Sequence, residues 1–195
     1  TGCTQDALFE IAQATRDYAV RNPAAFFYQR PMTRADYDAG KKICNPLTLY
    51  DCCQESDGGC AIVVTTPERA RHLKQPGVSI RGVAQCIAKD QEEMTSFYRP
   101  DIARIPEMDL AADEAYAQCG LSAQDIDAAV IYDAFTPIVL WQLESWGFCK
   151  YGEAADFVQA GNLRPNGRLP SNTHGGQLSE AYIHGVNGIV EAVRL

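Results

Sequence analysis

The sequence predicts a layered α/β fold, in which strands and helices alternate along the chain. Three observations carry the prediction. Short β-type apolar runs bounded by turn residues are interleaved with stretches whose apolar residues recur at helical spacing. One run, Ala128-Ala129-Val130-Ile131-Tyr132, is apolar without interruption, as in a central strand covered on both faces. The chain has 195 residues, 46% hydrophobic and 22% charged, enough to bury a real core in one domain or two small ones.

Thr4 is placed to cap a helix over 5–21, with Leu8, Ile11, Ala12, Thr15 and Ala19 on one face and Asn22-Pro23 as its stop. Over 24–46 the pattern breaks, and Phe26, Phe27, Tyr28, Met32 and Tyr37 lie scattered among Pro, Arg and Asp. An irregular excursion with one or two short helical turns is predicted, and such insertions are often functional. Residues 47–53 and 60–65 are short strand candidates joined by the turn Ser56-Asp57-Gly58-Gly59. A short helix over 67–73 has proline at its start, and a strand over 78–87 follows the turn Pro76-Gly77. The stretch 88–106 is polar, 108–118 is helical with Gly120 behind it, and Ser122 caps a brief turn over 123–126. Beyond the apolar run, Asp133-Ala134-Phe135-Thr136 is the strand exit, Pro137 starts a helix over 138–146, and 151–170 reads as a loop. A final helix is predicted over 177–193, entered through Gly175-Gly176.

A net charge of −8 argues against a general nucleic-acid surface, which needs clustered Lys and Arg. No run of 18 apolar residues predicts a membrane span, and Thr1-Gly2-Cys3-Thr4 lacks the features of a signal peptide. The cysteines at 3, 44, 52, 53, 60, 86, 119 and 149 form no CxxC pair or other zinc spacing. They are expected to be reduced, mostly buried thiols of a cytoplasmic protein.

Two stretches carry candidate chemistry. Tyr132-Asp133 stands at the end of a central strand, where α/β proteins place ligand chemistry; the plain alternative is an interior aromatic followed by a capping Asp. In Asn172-Thr173-His174-Gly175-Gly176-Gln177-Leu178-Ser179-Glu180-Ala181-Tyr182-Ile183-His184-Gly185, a glycine turn feeds a helix N-terminus. Glycines without Cβ permit close approach, and the free N–H groups of such an end suit a carbonyl oxygen, an enolate or a phosphate. A buried helix with a Gly-rich entry is the alternative there, and Tyr182 would then be a core aromatic. His174 and His184 lie ten residues apart with no third ligand at metal spacing, so no metal site is predicted.

Taken together, Tyr132-Asp133-Ala134-Phe135-Thr136, Gln142-Leu143-Glu144, Gly147-Phe148-Cys149, Gly152-Glu153 and Leu169-Pro170-Ser171-Asn172-Thr173-His174-Gly175-Gly176 resemble the thiolase superfamily. The resemblance is nearest to the sterol-carrier-type thiolases and the thiolase-like steroid side-chain-cleaving aldolases. Pro46-Leu47-Thr48-Leu49-Tyr50-Asp51-Cys52-Cys53 with Asp57-Gly58-Gly59 is similar to the end of that family's loop domain. The resemblance implies a thiolase-like layered fold, with 1–75 as the loop region and 76–195 as an incomplete C-terminal half. It also implies a chain roughly half the family's length, without the half that carries the usual nucleophilic cysteine.

Departures from the family pattern point to the chemistry. Tyr132-Asp133-Ala134-Phe135 stands where degradative thiolases have Asn-Glu-Ala-Phe, and Ala181-Tyr182-Ile183 stands where they have Gly-His-Pro. Two phenols thus replace an Asn and a His that Claisen condensation needs. The pattern resembles the aldolases and implies retro-aldol cleavage of a β-hydroxyacyl-CoA steroid side chain. One Tyr takes the β-hydroxyl proton and the other protonates the thioester enolate, giving a steroid ketone or aldehyde and a short acyl-CoA. A phenol does such work when neighbours lower its pKa. Tyr132 and Tyr182 are the implied catalytic pair, without assignment of acid and base. His174, Gly175, Gly176 and His184 are implied to bind substrate or tune a phenol. Arg30, Arg34, Lys41 and Lys42 are weaker candidates for the phosphates of coenzyme A, which enters only as part of the substrate.

The resemblance also implies a homodimer and a small OB-fold partner with a zinc ribbon, so that any zinc belongs to the partner. Two other readings stay open: a sterol-carrier-type 3-ketoacyl-CoA thiolase, and a non-catalytic thiolase-like subunit. Whether Tyr132 and Tyr182 point into one place discriminates them.

Overall fold

The computed structural model describes residues 2–89, 99–101 and 104–195. Part of the polar stretch expected over 88–106 therefore lies outside the described residues.

Helix α1 (Gln5–Ala19) opens on Thr4, whose hydroxyl accepts the Ala7 N–H at 3.1 Å. Its predicted face, Leu8, Ile11, Ala12, Thr15 and Ala19, is buried. The irregular excursion contains α2 (Arg34–Asp38), capped reciprocally by Thr33 and Asp36. A hairpin of β1 (Lys42–Cys44) and β2 (Leu47–Thr48) follows, turning at a cis Asn45–Pro46 bond. The strand expected over 47–53 stops at Thr48, because the Asp51 carboxylate reaches back to the Thr48 N–H at 2.7 Å and curls Leu49–Asp51 into a 3₁₀ turn.

Beyond a short α3 (Pro67–Ala70) come α4 (Pro106–Cys119), ended by a left-handed Gly120, and α5 (Thr136–Ser145), with Pro137 in its first turn. The loop expected over 151–170 contains α6 (Ala154–Gln159). Its sequence offers no side-chain cap; instead the Glu144 carboxylate of α5 accepts the Gly152 and Ala154 N–H groups at 2.9 and 3.3 Å. The main core joins α1, α5 and α6 through Leu8, Ile11, Leu140, Leu143 and Val158, with Leu169.

Two expectations need correction. Among the described residues the only ladder is β1–β2, while 60–65 and 78–87 run without strand partners. Val63, Val64 and Ile87 are 74–85% exposed there. A β-prone sequence becomes a strand only when a neighbouring edge satisfies it. The apolar run 128–132 is likewise fixed by one isolated bridge, Ala129 to Ser171, and by side chains described below.

The final helix is also two helices, α7 (Gly176–Ser179) and α8 (Val186–Arg194). The carbonyls that would carry α7 forward are taken by other segments. Gln177 O accepts the Gln54 N–H and Leu178 O the Gln54 side chain, both at 3.0 Å. Ser179 O and Glu180 O accept the N–H groups of Phe27 and Phe26. The chain then turns through left-handed His184 (φ 48°) and Gly185 (φ 85°) before α8 starts.

The cysteines are all free thiols, but none is buried: Cys3, Cys44 and Cys60 are exposed and the other five are half-buried. No helix among the described residues is long and apolar enough to cross a membrane.

Candidate active site

The break after α7 brings together two residues that lie 50 apart in sequence. The Tyr132 and Tyr182 hydroxyls approach to 2.7 Å, with ring centroids 6.4 Å apart and planes inclined at 57°. His184 completes an aromatic triangle: its Nδ1 is 3.3 Å from the Tyr182 hydroxyl, and its ring lies 6.1 Å from that of Tyr132. Both tyrosines are half-buried and His184 is exposed.

The neighbourhood does not lower the Tyr132 phenol pKa. Burial raises it first, and the hydrogen bond with Tyr182 raises it further, with Cys53 and Asp133 adding in the same direction. Tyr132 therefore holds its proton firmly.

Each residue at the strand exit is fastened separately. The Asn172 side chain, on a left-handed residue (φ 52°), accepts the Ile131 N–H at 2.8 Å and donates to Ile131 O at 2.9 Å. Gln142 of α5 accepts the Tyr132 N–H at 3.1 Å and donates to Tyr132 O at 2.6 Å. The buried Asp133 carboxylate accepts the N–H groups of Gln177 and Leu178 at 2.9 and 3.4 Å. On the other side, Ser56 Oγ accepts the Tyr182 N–H at 3.1 Å. Asn187 donates to Glu180 Oε2 at 2.8 Å and to Ala181 O at 3.0 Å, holding the segment that leads into Tyr182.

The glycine turn serves this packing. A Cβ on Gly176 (φ 64°) would stand 2.0 Å from Asp133 Oδ2, and one on Gly175 (φ 117°) 2.8 Å from the Ala19 Cβ of α1. The close approach expected at Gly175-Gly176 is thus made to the protein itself. The Gln177 and Leu178 amides are spent on Asp133, which removes them as donors to an enolate.

His174 is buried and does not join the aromatic triangle. Its Nε2 lies 3.7 Å from Glu180 Oε2, and burial lowers its pKa, so it is neutral near pH 7. It shares the wall of a cavity of about 380 Å³ with Tyr132, Asp133, Gln177 and Asn187. His174 Nδ1, Gln177 Oε1 and Asn187 Oδ1 are buried there without a hydrogen-bond partner among the described residues. Arg34 is paired with Asp6 and Asp38 at 2.6 and 2.9 Å, and the Arg30 guanidinium lies 5.4 Å from the Phe26 ring centre. Among the described residues no group of three His, Cys, Asp or Glu side chains is arranged to hold a metal ion.

Sequence reasoning gave Gln142 and Ser56 no role beyond a motif and a turn, and it did not name Asn187. Gln142 left one signal: it is the lone polar side chain in Pro137-Ile138-Val139-Leu140-Trp141-Gln142-Leu143. Ser56 and Asn187 left none, since their role depends on the helix break.

The Asp133 carboxyl yields a pH prediction. Burial pushes its pKa from 3.8 up to about 6, against the hydrogen bonds that favour the anion. Folding therefore favours the protonated acid. Its contribution is fully present below about pH 4 and lost as pH rises through about 6, a change of about 3 kcal/mol. Urea unfolding midpoints of the wild type should show this loss, and Asp133→Asn, which keeps an acceptor for Gln177, should lack it.

The family described as thiolase C-terminal domain-like matches residues 88–195. The protein named steroid side-chain-cleaving aldolase from Thermomonospora curvata is 56% identical over 194 residues, covering 100% of this chain and 50% of that protein. The protein named 17-hydroxy-3-oxo-4-pregnene-20-carboxyl-CoA lyase from Mycobacterium tuberculosis is 50% identical, with the same coverage. The solved structure named Ltp2-ChsH2(DUF35) aldolase superposes with a TM-score of 0.97 at 56% identity, over 100% of this chain and 51% of that one. The chain spans about half the length of the curated relatives it matches.

Proposed function

This chain belongs to the thiolase C-terminal domain-like family, and from that premise we propose that its full-length protein is a thiolase-like aldolase. The reaction is retro-aldol cleavage of a β-hydroxyacyl-CoA steroid side chain, giving a steroid ketone or aldehyde and a short acyl-CoA. The observation that carries this reading is the 2.7 Å contact between the Tyr132 and Tyr182 hydroxyls. The names of the two relatives, an aldolase and a carboxyl-CoA lyase, support the same class.

The contact suits a relay. One phenol takes the β-hydroxyl proton as the Cα–Cβ bond breaks, and passes its own proton to the other phenol. The second phenol gives its proton to the enolate carbon. The proton lost by the hydroxyl is regained at carbon, and neither phenol need stand as a free anion. This fits the firmly held Tyr132 proton. His184, 3.3 Å from the Tyr182 hydroxyl, orients that end of the relay. Neutral His174, with its open Nδ1 on the cavity wall, is the group we assign to the thioester oxygen. Coenzyme A enters with the substrate.

In this reading residues 1–75 form the loop region and 76–195 the C-terminal half of a cytoplasmic homodimer. The name of the solved neighbour joins Ltp2 to ChsH2(DUF35). We assign the full-length protein a comparable small partner, of the OB-fold and zinc-ribbon type, that carries any zinc.

The test is incubation of the full-length protein and its partner with a β-hydroxyacyl-CoA steroid, products being followed by mass spectrometry. Steroid ketone or aldehyde plus short acyl-CoA should form without added free coenzyme A. Cleavage confined to a 3-ketoacyl-CoA and dependent on free coenzyme A would replace this reading with a thiolase.

A further inference from the structure

We propose that Gln142 is a positioning residue for the Tyr132 phenol, its side-chain amide standing where a neighbouring strand would otherwise pair with the Tyr132 backbone. The inference rests on the reading of Tyr132 as an acid–base residue.

The Tyr132 N–H donates to Gln142 Oε1 at 3.1 Å and its carbonyl accepts from Gln142 Nε2 at 2.6 Å. One planar amide thus holds both polar groups of a single residue, the pair of bonds that a strand neighbour supplies. Ile131 is held in the same way by Asn172. Consecutive residues of an extended chain point to opposite edges, so two amides stand in for two missing neighbours.

The two amides differ in what else they do. Asn172 sits in a left-handed turn and its backbone is bonded to Ala129, so changing it disturbs the approach to α7 as well. Gln142 projects from α5, which is complete without its side chain: the Gln142 carbonyl still accepts the Trp146 N–H at 2.9 Å. Apart from Tyr132, the Gln142 amide bonds among the described residues only to Ile138 O, in its own helix, at 3.1 Å. Its partners outside α5 are therefore the two backbone groups of Tyr132.

A residue gripped at both N–H and C=O cannot rotate about its strand axis. Without the grip, those two groups turn toward other partners, and a small rotation at Cα is amplified along the phenol. The 2.7 Å contact with Tyr182 then opens. A displacement of about 1 Å at reacting groups costs on the order of 10²-fold in rate.

The experiment uses the full-length protein with its partner and the variants Gln142→Leu and Gln142→Glu. Leu removes both bonds; Glu keeps the acceptor for the N–H and loses the donor to the carbonyl. In Gln142→Leu, kcat should fall about 30- to 100-fold, with KM within about threefold. Gln142→Glu should fall between it and wild type.

A second readout does not depend on catalysis. Phenolate absorbance during alkaline titration, compared with the matching Tyr132→Phe protein, isolates the Tyr132 proton. In wild type this proton should leave well above the ordinary phenol value of about 10, and in Gln142→Leu it should leave nearer to that value. A moved titration with unchanged turnover supports the positioning of Tyr132 and refutes its acid–base role. An unmoved titration in both variants, whether turnover falls or not, overturns the proposal. If Gln142→Leu fails to fold, the Gln142→Glu titration decides between the same outcomes.

Discussion

Tyr132→Phe should lower kcat/KM for retro-aldol cleavage by about 10³-fold, and Tyr182→Phe by a similar factor. Each variant removes one oxygen from a two-oxygen relay and leaves the ring packing in place, so circular dichroism and Tm should change little. The informative measurement is the double variant. If the hydroxyls act as one relay through their 2.7 Å contact, removing the second after the first costs almost nothing more. Two independent groups would instead multiply their losses to about 10⁶-fold. Steady-state kinetics of the two single variants and the double variant, on one β-hydroxyacyl-CoA substrate, therefore test the mechanism as well as the identity of the residues. Full activity in either single variant would remove the relay.

The largest stability loss should come from Asp51→Ala. This fully buried carboxylate accepts the Tyr37 hydroxyl at 2.8 and 2.9 Å, the Thr48 N–H at 2.7 Å, the Thr48 hydroxyl at 3.0 Å and the Thr136 hydroxyl at 2.8 Å. Tyr37, Thr48, Asp51 and Thr136 are all 0% exposed. Removing the carboxylate leaves buried donors without an acceptor or water, at a cost of about 3–5 kcal/mol. Asp51→Asn keeps one acceptor oxygen but turns an NH₂ toward donors, so about half that loss is expected. Because Thr136 begins α5, the damage should reach Tyr132 through Gln142, and activity should fall along with the urea midpoint. A loss under about 1 kcal/mol in Asp51→Ala would show that the four donors find other partners.

Much of the site is legible in the amino-acid sequence, and the reason is chemical. Tyr132 and Tyr182 lie in two motifs that resemble those of the thiolases, and the proposed proton transfer starts from the two phenols there. Their meeting is not legible. It depends on the bend between α7 and α8, and that bend is made by Gln54, Phe26 and Phe27, which take the carbonyls of residues 177–180. Helical spacing over 177–193 carries no trace of partners more than a hundred residues away. For the same reason α6 reads as loop, since its first turn is capped by Glu144 of another helix. Helix α1 is legible because its cap, its apolar face and its stop are all local. The runs 60–65 and 78–87, which have no strand partner among the described residues, have β-prone sequences, but a ladder needs a second edge that no single segment can announce.

The seat of α1 has a consequence for how the chain acquires its fold. Arg16 of α1 bonds to Ser179 of α7 across 163 residues, and Thr4 receives the Gln159 side chain of α6 across 155. Few contacts of that span form early, because the intervening chain must first lose its freedom. During synthesis at about 5–20 residues per second, on the order of ten seconds separates the appearance of α1 from that of its partners. Throughout that interval Leu8 and Ile11 lack α5 and α6, the helices they pack against here. Helix α1 is thus made well before the helices that bury it here, and until they appear its apolar face is open to a chaperone or to a wrong neighbour.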